Sequence, residues 1–281
     1  MNIEELLQKA VLKLKDYNIE ESHSKARRLL AFTLKIPKEQ IIIHNKRELT
    51  IQQVNQYNTY IERILLGEPI QYIIGKQEFM EIDFKVTPDV LIPQPDTEIL
   101  VEKVIEILEI INNPKVLDLC TGSGAIAVSI AKYVPKSTIF ASDISKKALE
   151  IAKQNDIANK VKFICSNLFE NINSKFNVIV SNPPYIKTSE IQGLSKEVQN
   201  EPLIALDGGQ DGLFFYRAII TQAHEYLENP GYLCLEIGED QKEQVIELIN
   251  SSGCYKNIQS FKDFSGHDRV IICKKIKDEK S

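Results

Sequence analysis

The chain has 281 residues, and its 43% hydrophobic and 26% charged content is typical of a soluble protein with an ample core. The formal net charge is −5, with 11 Lys and Arg against 9 Asp and Glu in residues 1–75 and 23 against 30 in the remainder. An acidic remainder is a poor match for a catalytic face that binds duplex nucleic acid, so no direct nucleic-acid partner is expected.

The cysteines, histidines and first residues of the chain exclude further classes of protein. The five cysteines are scattered without a Cys-x-x-Cys pair, which indicates free thiols in a reducing compartment. The four histidines show no metal-ligand spacing, so no metal is expected. The first residues carry no signal-peptide pattern, and no apolar run is long enough to cross a bilayer. We therefore expect a cytoplasmic protein without a membrane partner.

Residues 1–75 are predicted to form a small helical domain. Apolar residues recur at helical spacing through most of it. Ser22 or Ser24 is a candidate N-cap for one helix, and Thr50 with Gln53 has the spacing of a capping box for another. The domain is too small for a catalytic centre of its own, and its residues leave two roles open, packing and partner recognition.

A change of pattern separates this domain from the rest of the chain. Apolar residues alternate from Phe79 to Val90, which predicts a β-hairpin, and a stiff proline-containing segment follows. We assign residues 76–96 to a β-hairpin linker and residues 97–281 to a catalytic domain.

In the catalytic domain, predicted strands alternate with helical stretches, which is typical of a doubly wound, mostly parallel α/β sheet. Two late strands without room for a helix between them predict a closing antiparallel hairpin. From Lys274 to Ser281 the chain is predicted to be a solvated tail. The predicted strands are residues 115–119, 138–142, 161–164, 176–181, 232–237, 256–261 and 269–274.

A glycine turn after the first of these strands predicts a nucleotide-type cofactor. Gly122 and Gly124 allow a sharp turn between strand and helix and a close approach of the backbone to a ligand. Asp143, 21 residues after Gly122, ends the next strand, where an acid can accept both hydroxyls of a ribose. The cofactor is then a nicotinamide dinucleotide or S-adenosyl-L-methionine. Asp118, directly before the turn, suits the ammonium of a methionine group and not a pyrophosphate, which favours S-adenosylmethionine.

The motif Asn182-Pro183-Pro184-Tyr185 follows the fourth predicted strand and supplies a second argument for S-adenosylmethionine. Its prolines lack N–H groups and fix the backbone. The side-chain oxygen of Asn182 and the carbonyl of Pro183 then form a rigid pair of acceptors for one NH2 group. Hydride transfer does not require two acceptors that hold an NH2 group, whereas methylation of an amide or amine nitrogen can use them.

The chain at this point resembles the release-factor glutamine methyltransferases (the HemK/PrmC type) over nearly its whole length. The resemblance implies a class I S-adenosylmethionine-dependent methyltransferase with a Rossmann-like sheet and an N-terminal helical substrate-recognition domain. It implies as substrate the glutamine of the Gly-Gly-Gln motif in class I peptide chain release factors. The matching blocks include Gly67-Glu68-Pro69, Val90-Leu91-Ile92-Pro93, Asp118 to Ala127, Asp143-Ile144-Ser145, Ser181 to Ile186, Glu236-Ile237-Gly238 and Asp268-Arg269-Val270.

The resemblance also implies roles for individual residues. Asn182 and the Pro183 carbonyl hold the target amide, Tyr185 packs on it, and Pro184 keeps the motif rigid. Asp143 contacts the ribose, and Asn167 and Leu168 flank the adenine. The turn that lines the methionine part of the cofactor comprises Asp118, Cys120, Thr121, Gly122, Ser123 and Gly124.

Three departures from the family pattern involve four positions. Cys120 stands where glycine is usual, and Asn167 stands where an acid is usual. Gln94 and Asp96 stand where arginine and glutamate are usual. Cys120 narrows the glycine turn, and Asn167 puts a carboxylate contact to the adenine in doubt.

Two rival functions remain open on the residues alone. One is another Asn-Pro-Pro-Tyr methyltransferase, acting on a ribosomal-protein glutamine or on adenine in DNA. The other is a non-catalytic S-adenosylmethionine-binding module that docks on translation factors, against which the intact motif counts.

Overall fold

The computed structural model describes residues 1–277, which fold into two compact units. One unit comprises Met1–Gly75 and Ser195–Asn200, and the other comprises Lys76–Leu194 and, within the described residues, 201–277. Residues 278–281, the end of the predicted tail, lie outside the described residues. Within residues 1–277, the structure has no helix long and apolar enough to cross a membrane.

The first unit is helical and has its own core. Tyr57 at the centre of that core is fully buried, and its hydroxyl donates to the Ala26 carbonyl at 3.1 Å. The core is built from the apolar faces of five helices, which are α1 (Ile3–Asp16), α2 (Ser22–Leu34), α3 (Gln40–Ile43), α4 (Ile51–Leu65) and α5 (Ile70–Ile74).

The helix starts of this unit test two of the sequence predictions. The capping box of α4 is confirmed, because Gln53 N–H donates to Thr50 Oγ1 at 3.2 Å and Thr50 N–H donates to Gln53 Oε1 at 3.0 Å. The predicted serine cap of α2 is wrong. Glu21 is the N-cap, in a left-handed conformation, and Ser22 is already helical, with its hydroxyl donating to the Ile19 carbonyl.

The second unit begins with a hairpin. Strands β1 (Lys76–Phe79) and β2 (Ile82–Lys85) pair antiparallel, and Phe79 and Phe84 contact each other edge to face. Met80 and Glu81 make the turn in left-handed conformations.

A seven-stranded sheet follows, in the order β5-β4-β3-β6-β7-β9-β8. The first five strands of this order are parallel, and β9 runs antiparallel to both β7 and β8. The predicted doubly wound sheet with its closing hairpin is therefore confirmed. The strands are β3 (Lys115–Leu119), β4 (Thr138–Asp143), β5 (Val161–Cys165), β6 (Phe176–Ser181), β7 (Leu227–Glu236), β8 (Tyr255–Lys262) and β9 (Asp268–Lys275).

The predicted tail begins too early. Lys274 and Lys275 belong to β9, and Lys275 is only 4% exposed. Pairing along both edges of β9 holds these two residues in the sheet, because Lys274 lies opposite Tyr232 of β7 and Lys275 lies opposite Tyr255 of β8.

Helices cover both faces of the sheet. Alternate residues of β3 point to opposite faces of the sheet, so Val116 belongs to the core on one face and Leu117 to the core on the other. The core on the first side includes α6 (Asp96–Glu109) and α7 (Ala125–Tyr133), and α8 (Lys146–Asn155) contacts β4 and β5. Two short helices follow β6, namely α9 (Lys196–Gln199), which belongs to the helical unit, and α10 (Leu203–Leu206). The second side of the sheet is covered by α11 (Phe214–Tyr226) and α12 (Lys242–Ser252).

Candidate active site

Most of the predicted site residues meet at the carboxyl ends of the parallel strands. Strand β3 lies between β4 and β6, where the strand order reverses, and in open α/β sheets this is where ligands bind. One cavity there is lined by Cys120, Gly122, Asp143, Asn167, Leu168, Asn182 and Pro184. An adjoining cavity shares three of these residues and adds Thr121 and Ser123. Asp118, Gly124, Pro183 and Tyr185 are not among the residues that line these two cavities.

The glycine turn leaves the first cavity open to a ligand. Gly122 has a φ of +53°, and a Cβ built on it would meet no atom within 4 Å, so the side towards the ligand is free. Gly124, with a φ of +82°, packs against α8 instead, because its Cβ would lie 3.1 Å from that of Ala152. The two glycines thus have different functions, one facing the cavity and one bringing two helices together.

Asp143 is held in place by backbone N–H groups. Its Oδ2 accepts from Gly122 N–H at 2.9 Å, and its Oδ1 accepts from Ser145 N–H at 2.8 Å. Burial raises the pKa of Asp143, and these hydrogen bonds offset part of that rise. Each carboxylate oxygen has a second lone pair, so the group can still accept from two hydroxyls in the cavity.

Asp118 lies beneath the turn and is fully buried. Its Oδ2 accepts from the Thr121 hydroxyl at 2.5 Å and from Ala127 N–H in the first turn of α7 at 3.2 Å. Its Oδ1 has no hydrogen-bond partner within residues 1–277. Burial raises the pKa of Asp118 to about 7, and the charge of Asp143 adds to the rise. Asp118 therefore shapes the turn and keeps one unsatisfied acceptor.

Asn182 presents its oxygen and not its nitrogen to new partners. Its Nδ2 donates to Thr97 Oγ1 at 3.2 Å, and its side chain also lies beside the Glu236 carboxyl group, whose pKa it lowers. Among residues 1–277, no group donates to Asn182 Oδ1 or to the Pro183 carbonyl. The motif thus carries two free acceptors, and one of them belongs to Asn182, which lines both cavities.

Asn167 and Leu168 follow the end of β5 and also line this cavity. In the sheet, β4 and β3 separate β5 from β6, the strand that carries the motif. Asn167 is exposed, and its Nδ2 donates to Glu170 Oε1 at 2.8 Å, which leaves its oxygen free. Leu168 has a φ of +43°, which is an uncommon conformation for a leucine. This residue also lines the cavity.

Tyr185 turns away from the cavities. Its ring packs against the core beneath α11 and α12, and its hydroxyl lies near the positively charged Arg269. Burial, and secondarily the charge of Glu236, raises the pKa of Tyr185 far above its ordinary value, so the hydroxyl stays neutral. The structure does not bring this ring to the cavity wall.

Curated relatives place this site in a known family. A "Release factor glutamine methyltransferase" of Thermodesulfovibrio yellowstonii is 45% identical over 268 residues, which cover 93% of this chain and 94% of the relative. Another of the same name from Clostridium acetobutylicum is 42% identical, over 97% of this chain and 98% of the relative. The chain belongs to the release factor glutamine methyltransferase family.

Two family models agree with this membership. The model for the PrmC N-terminal domain matches residues 5–75, and the model for the methyltransferase small domain matches residues 94–264. Among solved structures, the hMettl16 catalytic domain in complex with MAT2A 3′UTR hairpin 6 superposes with a TM-score of 0.56 at 13% identity, covering 79% of this chain and 82% of that one. That likeness shows the methyltransferase fold alone. The expected class I methyltransferase architecture is confirmed.

The departures from the family pattern have visible consequences. Cys120 adopts a φ of +59°, which is a strained conformation for any residue other than glycine. Its burial, followed by the charge of Asp143, raises the thiol pKa to about 12, so no thiolate forms near neutral pH. Asp96 Oδ2 lies 3.4 Å from Arg269 Nη2, and Gln94 Nε2 donates to the Ile92 carbonyl at 3.0 Å.

Sequence reasoning assigned no role to four residues that support the motif. Thr97 and Glu236 contact the Asn182 amide, Arg269 contacts the Tyr185 hydroxyl, and Gln241 Nε2 donates to the Tyr185 carbonyl at 2.9 Å. One signal was present in the sequence. Glu236 is the penultimate residue of the predicted strand 232–237, and parallel neighbours end at the same edge of a sheet.

No group of three or more His, Cys, Asp or Glu side chains within the described 277 residues could hold a metal ion. All five cysteines lie in that part of the chain and are free thiols.

Proposed function

We propose that this protein transfers a methyl group from S-adenosylmethionine to the side-chain amide nitrogen of the glutamine in the Gly-Gly-Gln motif of class I peptide chain release factors. The observation that carries the proposal is the orientation of Asn182, whose nitrogen is bonded within the protein while its oxygen and the Pro183 carbonyl remain free acceptors. The membership of the family supports the choice of substrate.

The two acceptors address the weakness of an amide as a nucleophile. An amide nitrogen shares its lone pair with the carbonyl group. Acceptors that take both of its N–H bonds orient the nitrogen and stabilise the positive charge that develops on it. No strong base is needed before transfer, because the proton is lost readily afterwards. Most of the acceleration then comes from position and orientation.

The residues at the cavity fit S-adenosylmethionine. When bound, this cofactor supplies an electrophilic methyl group on a sulfonium. Asp143 offers two lone pairs to ribose hydroxyls, and Gly122 leaves room for the cofactor chain. The unpartnered Oδ1 of Asp118 beneath the turn is suited to a nearby ammonium. Asn167 keeps a free amide oxygen for the amino group of an adenine.

We expect Asp143→Ala to weaken S-adenosylmethionine binding by about 100-fold, because two charge-assisted hydrogen bonds to the ribose are lost. Isothermal titration calorimetry measures this directly. Glu150→Ala, an exposed acid on α8, is the matched control and should bind normally. An unchanged affinity in Asp143→Ala would contradict the ribose assignment.

Mass spectrometry tests the reaction itself. Release factors incubated with the protein and cofactor should gain one methyl group on the loop glutamine. A gain on a ribosomal-protein glutamine or on DNA adenine instead would replace this substrate with a rival one. No gain on any of the three substrates, with cofactor still bound, would favour the non-catalytic docking module.

The proposal also assigns docking of the release factor to residues 1–75 and places the protein in the cytoplasm. If the helical domain helps to dock the factor, a short Gly-Gly-Gln peptide should have a much lower kcat/KM than the intact factor. Equal values would remove the docking role. Recovery of the protein outside the cytoplasmic fraction would contradict the location.

A further inference from the structure

Glu236 is a buried acid that the proposed mechanism leaves without a role. It is the last residue of β7 and only 2% exposed. Ser181 lies opposite Leu235 in the parallel pair β6–β7, so Glu236 and Asn182 leave the sheet side by side. One carboxylate oxygen, Oε2, has no hydrogen-bond partner within residues 1–277. Burying a carboxylate with an unpartnered oxygen costs free energy, so its presence calls for a functional explanation.

Three elements bring Glu236, Thr97 and Asn182 together. Thr97 comes from the first turn of α6, and its Oγ1 accepts from Asn182 Nδ2 at 3.2 Å. The side chains of Thr97 and Asn182 also both lie beside the Glu236 carboxyl group, where each can act as a donor that lowers its pKa. An ionised carboxylate only accepts hydrogen bonds, so Thr97 must donate its hydroxyl proton and Asn182 must present its NH2.

We propose that Glu236 and Thr97 are positioning residues, which fix the Asn182 amide with its oxygen towards the substrate. The proposal rests on the proposed function and deepens it. With the amide turned over, Asn182 Oδ1 would face the carboxylate, and its Nδ2 would face the NH2 of the substrate glutamine. Both contacts would then be repulsive. The ionised acid therefore selects the one orientation that can hold a glutamine amide.

Two charged and two neutral groups from neighbouring elements face Glu236 and influence its protonation. Burial raises its pKa to about 7, hydrogen bonds and the positive charge of Arg269 on β9 oppose the rise, and Asp96 on α6 adds to it. Tyr185 after β6 and Tyr216 on α11 face it as neutral groups, and the Tyr216 hydroxyl donates to the Glu236 carbonyl. Protonated Glu236 can itself donate a hydrogen bond and no longer discriminates between the two amide orientations. Activity should thus rise with pH through about 7 as Glu236 ionises.

The test is Glu236→Gln, which keeps the shape and removes the charge. With saturating cofactor and pH above 7, kcat should fall by about 10- to 100-fold, the size of a lost charge-assisted hydrogen bond. The step in kcat near pH 7 should disappear. The Tm should not fall, since a buried charge with an unpartnered oxygen is removed, and the Kd for S-adenosylmethionine should not change. Thr97→Val should lower kcat in the same way, and Thr97→Ser should restore most of it.

Glu247→Gln, an exposed acid on α12, is the control and should match the wild type in every measurement. Wild-type kcat in Glu236→Gln would overturn the proposal, as would a loss of kcat, Tm and cofactor affinity together, which indicates a structural role. If the wild type methylates no release factor, the proposed function fails. The NMR signal of the Asn182 side-chain NH2 then tests separately whether Glu236 positions the Asn182 amide. Faster hydrogen exchange of that NH2 in Glu236→Gln than in wild type supports positioning, and equal exchange overturns it.

Discussion

Asn182→Ala should lower kcat for release-factor methylation by about 1,000-fold or more while the Kd for S-adenosylmethionine stays close to that of the wild type. The substitution removes the side-chain acceptor and leaves the Pro183 carbonyl as a single contact. A glutamine NH2 held at one point can rotate, so the nitrogen lone pair is no longer aligned with the methyl group. Single-turnover rates at saturating cofactor and calorimetry of cofactor binding measure the two effects separately.

The matched control for this variant is Asn250→Ala. Asn250 is an exposed asparagine on α12, at some distance in sequence from every predicted site residue, and the same chemical change there should leave kcat unaltered. If Asn182→Ala loses cofactor binding together with turnover, Asn182 serves mainly the cofactor. The division between a cofactor half and a substrate half of the site would then be wrong.

The regular part of the fold was predictable because the sheet is buried on both faces. Short β-branched runs such as Phe176–Ser181 have few alternatives to a central parallel strand, and the spacing between such runs leaves room for one helix each. The prediction was weaker where pairing continues beyond the apolar core. Strand β7 starts at Leu227, before the predicted residue 232, and Lys275 is buried by its partners across β9.

The site was predictable to the extent that local sequence fixes it. The glycine turn, Asp143 and the proline motif each follow a strand, and the carboxyl ends of neighbouring parallel strands must meet. The supporting contacts depend on distant parts of the chain. Thr97 precedes Asn182 by 85 residues, and no short-range pattern joins them. The same holds for Ser195–Asn200, which belongs to the helical unit although more than a hundred residues separate the two segments.

Within that helical unit, the contacts of the segment are specific. Lys25 forms an ion pair with Glu197, and its side chain is only 10% exposed. Asn200 Nδ2 donates to the Gly67 carbonyl at 3.0 Å. Nothing in the sequence around Lys25 indicates that its partner is an acid more than a hundred residues further along the chain.

Gly208→Ala is expected to damage the site by moving the backbone of the motif. A Cβ at Gly208 would lie 2.7 Å from Tyr185 Cα, 2.8 Å from the Tyr185 carbonyl carbon and 2.9 Å from the Pro184 carbonyl oxygen. All three atoms belong to the main chain, so no side-chain rotation relieves the clash. The segment is also tied to the motif's strand end, since Gly208 N–H donates to the Ile186 carbonyl at 2.8 Å and Ile186 N–H donates to the Leu206 carbonyl at 3.0 Å.

The expected result for Gly208→Ala is a fall in kcat of about 100-fold, because a displacement of about 1 Å at a positioned group costs that much. The free energy of unfolding should fall by about 1–3 kcal/mol, the usual cost of overpacking, as measured by urea denaturation. Gly193→Ala is the matched control, since a Cβ there would meet no atom within 4 Å. If the two variants have equal kcat, the close packing of Gly208 does not hold the motif. A fall in kcat for Gly208→Ala alone, with cofactor affinity preserved, would place the effect on the two acceptors that face the substrate amide.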